Sequence, residues 1–230
     1  MMEHTVKAFD DDITRLRGLV AEMGGICEVS IDEAMEALVS KDEKLADEVI
    51  ARDRKLDALE IEIDKLAIRV IALRAPMADD LREIIGALKI ASALERIGDY
   101  AKNIAKRAAR IEQRGRFEPL TLLPAMAEIA RDMVHDVMTA FAARDAEAAA
   151  EILKRDDKVD SFYNSIFRNL VSHMMENPSS ISSAAQLLFV ARNLERIGDH
   201  CTNIAETVHY AATGQYLPDR EERATSGERL

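Results

Sequence analysis

The chain is poor in the residues that break or decorate structure. Its 230 residues include 9 Gly, 5 Pro, 2 Cys and no Trp, and aromatics make up 4%. Two cysteines, Cys27 and Cys201, cannot form a disulfide framework, so reduced thiols in a cytosolic protein are expected. No apolar run is long enough to span a bilayer, and the N-terminus lacks the basic-then-apolar layout of a signal peptide. Basic residues are outnumbered, giving a formal net charge of −11. That charge argues against nucleic acid or an anionic membrane surface as a direct partner. Neither a Gly-rich phosphate loop nor a nucleophile elbow is present. What remains is 48% hydrophobic and 32% charged, a composition rich in helix formers.

The few breakers are grouped. Pro76 interrupts one stretch, Gly115, Pro119 and Pro124 another, Pro178 a third, and Gly214 and Pro218 open a polar tail. Between them apolar residues recur at helical spacing, predicting helices over about 5–40, 43–74, 78–112, 122–143, 146–175 and 179–212. Asp42 and Asp145 are placed to cap helices after short turns, and Asp79 and Ser179 or Ser180 to cap those after the prolines. Gly24-Gly25 is expected to weaken or bend the first helix.

The chain repeats itself. LERIGDYAKNIA (94–105) returns as LERIGDHCTNIA (194–205), with nine of twelve residues identical. At a shift of 103, Met35 meets Met138, Asp42 meets Asp145, Arg52 meets Arg155, Asp53 meets Asp156 and Asp57 meets Asp160. Each copy reads helix–turn–helix–turn–helix, and long helices with short turns build up-and-down bundles. The expected fold is all-α: two tandem three-helix bundles related by internal pseudo-symmetry, over 1–113 and 114–213, with a disordered tail over 214–230.

On a helical wheel Glu95, Asp99 and Asn103 form one stripe, set against Leu94, Ile97 and Ile104; Glu195, Asp199 and Asn203 repeat it. The stripes are therefore expected to be exposed or to line a groove. Asp53 and Asp57, four apart on the preceding helix, and Asp156 and Asp160 in the second copy, add a second pair of carboxylates to each. Four carboxylates on adjoining helices repel one another unless a cation or protons intervene. Oxygen donors of this kind suit Mg²⁺, Mn²⁺, Ca²⁺ or iron. A charged stripe is also what any solvated helix face presents, and spacing alone leaves both readings open. Duplication of all three polar positions, together with Gly98 and Gly198, points to a constraint beyond solubility; each glycine costs about 1 kcal/mol against Ala in a helix. Lys106 against Glu206 makes the second stripe more acidic, and hence the tighter metal site if the two differ.

Other chemistry is thinly represented. The five His do not repeat; Glu206-x-x-His209 and Asp132-x-x-His135 are an imperfect pair for a ferritin-like di-metal centre. Cys201 aligns with Ala101 on the apolar side, and the 10 Met are expected to fill the core.

Two copies of E-R-x-x-D-x-x-x-N, each preceded by a D-x-x-x-D helix, resemble the PhoU family of phosphate-signalling regulators. The segments AFDDDITRLRGLVAEMGG and APMADDLREIIGALKIASALERIGDYAKNIA are similar to that family's opening helix and its best-marked stretch, and the resemblance covers about residues 5–212. It implies a non-enzymatic regulator that restrains phosphate uptake and the phosphate-starvation response. Its implied place is the cytoplasm, peripheral to the inner membrane through its partners. Those partners are the ATPase subunit of an ATP-binding-cassette phosphate transporter and a sensor histidine kinase; a homodimer is implied too. It also implies divalent metal ions (Mg, Mn, Fe or Zn) on Asp53, Asp57, Glu95, Asp99 and Asn103, and on Asp156, Asp160, Glu195, Asp199 and Asn203. An accessory regulator of a low-affinity phosphate carrier, a carboxylate-metal enzyme and a metal-free helical adaptor are the alternatives. The second copy departs from the pattern after Pro178, where nothing matches Asp80 and Arg82.

Overall fold

The computed structural model describes residues 2–108 and 119–218. The expected boundary at 113/114, residues 109–112 of the predicted third helix and the tail beyond 218 lie outside them. Six helices follow in order: α1 (Met2–Ser40), α2 (Glu43–Arg74), α3 (Asp79–Ala105), α4 (Pro119–Ala143), α5 (Ala146–Glu176) and α6 (Ile181–Thr213). No strand occurs among the described residues. No described helix is long and apolar enough to cross a membrane.

The repeat is visible in the turns. Lys41 (φ 60°) and Arg144 (φ 54°) each end a helix in the left-handed region. The next residue in each case, Asp42 or Asp145, donates its backbone N–H back to Ala37 O (3.1 Å) or Ala140 O (2.9 Å). Asp42 then accepts from Leu45 N at 3.0 Å, and Asp145 from Glu147 N and Ala148 N, both at 3.0 Å. These carboxylates satisfy first-turn donors that the helix itself leaves without a partner. The other two predicted caps fail. Ala78 occupies the cap position of α3, and Asp79, already inside the helix, takes Arg82 Nη2 at 2.6 Å instead. Ser180 is αR within a 3₁₀ turn running into α6, so its hydroxyl donates back to Asn177 O at 2.7 Å.

Helices α1–α3 form one bundle and α4–α6 the other. The bundles join along α3 and α6, with α1 also on α4. Gly86 lies against Thr207 and Ala211, Tyr100 faces His200 (ring centroids 5.6 Å apart), and Arg107 Nη1 reaches Gln186 Oε1 at 2.5 Å. Numbers rise along α3 as they fall along α6, so the two run antiparallel about a local two-fold near Gly98 and Gly198. Leu94, Ile97, Leu194 and Ile197 are wholly buried there. Glu83, also buried, is held by Arg17 Nε (2.5 Å) from its own bundle and Arg144 Nη1 (3.2 Å) from the other.

Three helical glycines, Gly24, Gly98 and Gly198, mark close approaches, whereas an added Cβ on Gly25 would meet nothing within 4 Å. Helix α1 runs unbroken through Gly24, where an added Cβ would lie 2.6 Å from Met138 Cγ of α4. A Cβ on Gly98 would stand 2.1 Å from Leu56 Cδ1, and one on Gly198 3.2 Å from Asp156 Oδ1. Cys27 and Cys201 are buried free thiols. The methionines divide: Met23, Met126 and Met133 are core, whereas Met77 and Met175 are exposed.

Candidate functional site

Each bundle carries one acidic crevice where its last two helices meet. In the first, Asp53 of α2 rests over Gly98, 3.9 Å from where a Cβ would stand, and is 7% exposed. Asp57, one turn along, is exposed; Glu95, Asp99 and Asn103 of α3 are half-buried. In the second, Asp156 of α5 lies over Gly198 and is 4% exposed. Asp160 and Asp199 are half-buried, Asn203 is exposed, and Glu195 is 8% exposed.

The stripes thus stand in a crevice, as one branch of the expectation had it, but Glu195 is buried where exposure was expected. The wheel assumed one covered face per helix. Helix α3 is covered by α1, α2 and α6, and α6 by α3, α4 and α5, so polar positions flanking the apolar arc are also enclosed.

The crevices differ in how their charge is balanced. In the first, Lys102 Nζ donates to Asp53 Oδ2 at 2.5 Å and to Asp99 Oδ1, bridging α2 and α3. Burial pulls the Lys102 ammonium down, but the hydrogen bonds to Asp53 and Asp99 outweigh it and hold its pKa above the usual lysine range. Arg96 adds contacts to Glu95 Oε2 at 3.5 Å and Asp99 Oδ2 at 3.7 Å. In the second, the residue matching Lys102 is Thr202, whose hydroxyl donates to Asp199 O at 2.7 Å. Arg192 Nη1 reaches Glu195 Oε1 at 2.5 Å, while Glu195 Oε2 is sealed from solvent without a hydrogen-bond partner.

Both glutamates are held above the ordinary carboxylate pKa. For Glu95 the causes are burial and Asp99, with Glu60 and Asp57 adding and Arg96 opposing. For Glu195 they are burial and Asp199, with Asp160 and Asp156 adding and Arg192 opposing. A carboxyl whose pKa rises on folding contributes stability below its unfolded pKa and loses it as pH climbs through the folded value. Without metal, Glu195→Gln is therefore expected to melt at or above the wild-type temperature at pH 7.5. That advantage shrinks at pH 4.5. Thermal melts in chelator at the two pH values check the sign.

Among the described residues, no three or more His, Cys, Asp or Glu side chains already stand together as a metal-ion ligand set. A cation in either crevice would have to draw the carboxylates inward. The His motifs do not converge: His135 pairs with Glu28 at 3.2 Å, and His209 Nδ1 meets Gln215 O at 3.0 Å. Sequence reasoning missed Lys102, Arg192 and Glu60. Lys102/Thr202 is one of the three mismatches in the duplicated segment, which was the available signal.

Two stretches, residues 20–108 and 123–208, match the family model described as PhoU domain. The chain is 49% identical to the phosphate-specific transport system accessory protein PhoU homolog of Zymomonas mobilis, over 94% of this chain and 92% of that one. It is 44% identical to the homolog of the same name from Caulobacter vibrioides, over 94% and 95%. Among solved structures, PhoU from Pseudomonas aeruginosa superposes with a TM-score of 0.84 at 36% identity, covering 90% of this chain and all of that one. The phosphate transport system regulatory protein PhoU from Streptococcus pneumoniae gives 0.86 at 28% identity, covering 92% and 100%.

Proposed function

The chain belongs to the PhoU family, and on that premise we propose that it is a non-enzymatic regulator of phosphate uptake and of the phosphate-starvation response. It acts as an adaptor between a phosphate transporter's ATPase subunit and a sensor histidine kinase, and restrains both when phosphate is plentiful. The observation that carries this reading is the near full-length match to relatives named as accessory proteins of the phosphate-specific transport system. Exposed apolar side chains on α2, Ile61 (52%) and Ile68 (65%), two turns apart on one face, support a protein-contact role, whether with these partners or in a homodimer.

The same proposal includes a divalent cation. In the second crevice Asp156, Asp160, Glu195, Asp199 and Asn203 would hold it. Their all-oxygen donors suit Mg²⁺, Mn²⁺ or iron better than zinc. The buried, unpartnered Glu195 Oε2 is the feature that fits such a group. When bound, the ion would neutralise the carboxylates and tie α5 to α6. Asp53, Asp57, Glu95, Asp99 and Asn103 carry the same donor atoms in the first crevice, with Lys102 among them.

A phosphate-starvation reporter in cells deleted for this gene tests the regulatory role. Without the gene the reporter is on in phosphate-rich medium. The wild-type chain switches it off, and Glu195→Gln/Asp199→Asn leaves it on at equal protein level. A reporter indifferent to the gene contradicts the reading.

A further inference from the structure

We propose that the α3–α6 seam carries an oxyanion site, built from Arg96, Tyr100, Arg196 and His200, that takes inorganic phosphate. It uses none of the carboxylates of the two crevices. Its value to a regulator rests on the proposed function; the binding itself does not.

The site follows from the way the repeat meets itself. Arg96 and Arg196 are the same position of the duplicated segment, and Tyr100 and His200 stand one turn further along each helix. Because α3 and α6 run antiparallel about the two-fold near Gly98 and Gly198, each arginine falls beside the ring of the other helix. Arg196 Cζ lies 5.8 Å over the Tyr100 ring. Arg96 holds the matching place by His200: burial lowers the imidazole's pKa, Asp199 opposes, and Arg96 and Arg196 are both near enough to lower it further. The two rings meet in the middle, centroids 5.6 Å apart. Both rings are half-buried and both arginines exposed, so two guanidiniums flank a shallow floor of two polar rings.

In a chain of net charge −11, two guanidiniums facing the same pair of rings are a local attraction for an anion. Arg96 meets Glu95 and Asp99 at 3.5 and 3.7 Å from a side chain that is 59% exposed, and ion pairs so long and so wet are weak. Asp99 is already clasped by Lys102. A guanidinium has five N–H donors, and these contacts engage few of them. The floor is loosely bonded as well. Tyr100 Oη and His200 Nε2 stand 3.5 Å apart, at the outer edge of a hydrogen bond. A ligand oxygen above them would bring each a closer partner.

The donors set the class of ligand. Arginine forks match the paired oxygens of a tetrahedral oxyanion. Tyr Oη and His Nε2 can each donate or accept a hydrogen bond. Hydrogen phosphate accepts through its charged oxygens and donates through its P–OH, so it satisfies either arrangement. Sulfate and a doubly ionised phosphomonoester only accept. Free inorganic phosphate therefore fits the site better than a phosphorylated side chain does.

The test is calorimetric titration of the full-length chain with inorganic phosphate at pH 7.5 and fixed ionic strength. The chain is first stripped with chelator, so that no metal bridges phosphate to the crevices. Wild type is expected to bind one phosphate per chain, and sulfate or O-phosphoserine several-fold more weakly. Arg196→Gln is expected to weaken phosphate about tenfold, the loss of a charge-assisted hydrogen bond. Tyr100→Phe keeps the ring and is expected to weaken it several-fold. Arg168→Gln removes an exposed arginine on α5, outside the seam, and is expected to bind as wild type does. Circular dichroism verifies that each variant is helical, and Tyr100→Phe decides if Arg196→Gln does not fold. No binding to wild type, unchanged affinity in Arg196→Gln and Tyr100→Phe, or an equal loss in Arg168→Gln overturns the inference. Sulfate or O-phosphoserine binding as tightly as phosphate overturns the assignment to inorganic phosphate. None of these results alters whether the chain restrains the starvation response, which the reporter reads separately.

Discussion

Saturating Mn²⁺ raises the thermal midpoint of the wild-type chain by about 5–10 °C, and leaves Glu195→Gln/Asp199→Asn where it was. The size follows from mass action. A ligand that binds only the folded chain, at 100 times its dissociation constant, adds about 2.7 kcal/mol. For a domain of this length each kcal/mol moves the midpoint by roughly 2–4 °C. The substitutions preserve shape, because Gln and Asn replace one carboxylate oxygen with an amide nitrogen, but remove the charge that attracts a cation. They also relieve the repulsion that, with burial, pushes the Glu195 carboxyl up. The apo variant should therefore be no less stable than apo wild type, and only the response to metal is lost. Calorimetry with Mn²⁺ and with EDTA separates the two effects. An equal response in both proteins would leave the acidic stripe as a solvated face and nothing more.

Leu194→Ala, and Leu94→Ala separately, are each expected to lower the midpoint by about 4–20 °C. Both leucines are wholly buried on the paired helices that join the bundles. Truncating a buried leucine removes its transfer free energy and leaves a cavity, together about 2–5 kcal/mol. The effect should reach both halves. Each leucine sits on a helix packed against its own bundle and the other, and Glu83 is clamped by an arginine from each. One calorimetric transition, shifted as a whole, is the expected trace. Two transitions with only one displaced would mean that the bundles fold separately.

Much of this was legible because it is local or duplicated. Asp42 and Asp145 cap helices through bonds to residues two or three ahead, which a sequence shows directly. The repeat revealed two bundles because a fold that recurs needs the same turn twice, and Lys41-Asp42 and Arg144-Asp145 are that turn. Asp79 and Ser180 resisted because their roles depend on the path of the chain before them, through Ala78 and the 3₁₀ turn. Which carboxylates line the crevices could be read from spacing. Their burial could not, since the wheel does not know how many neighbours a helix has. Lys102 escaped for a related reason: within the repeat it differs from Thr202 as any drifting surface residue might. Only its reach across to Asp53 on α2, a tertiary fact, makes the difference matter.

The most direct test of the regulatory account is phosphate uptake itself. Labelled phosphate is supplied to phosphate-replete cells that lack the gene, carry the wild-type chain, or carry Glu195→Gln/Asp199→Asn at matched abundance. The account predicts fast, unrestrained uptake without the gene, restraint restored by the wild-type chain, and little restraint from the double variant. Equal uptake in cells with and without the wild-type chain would contradict it.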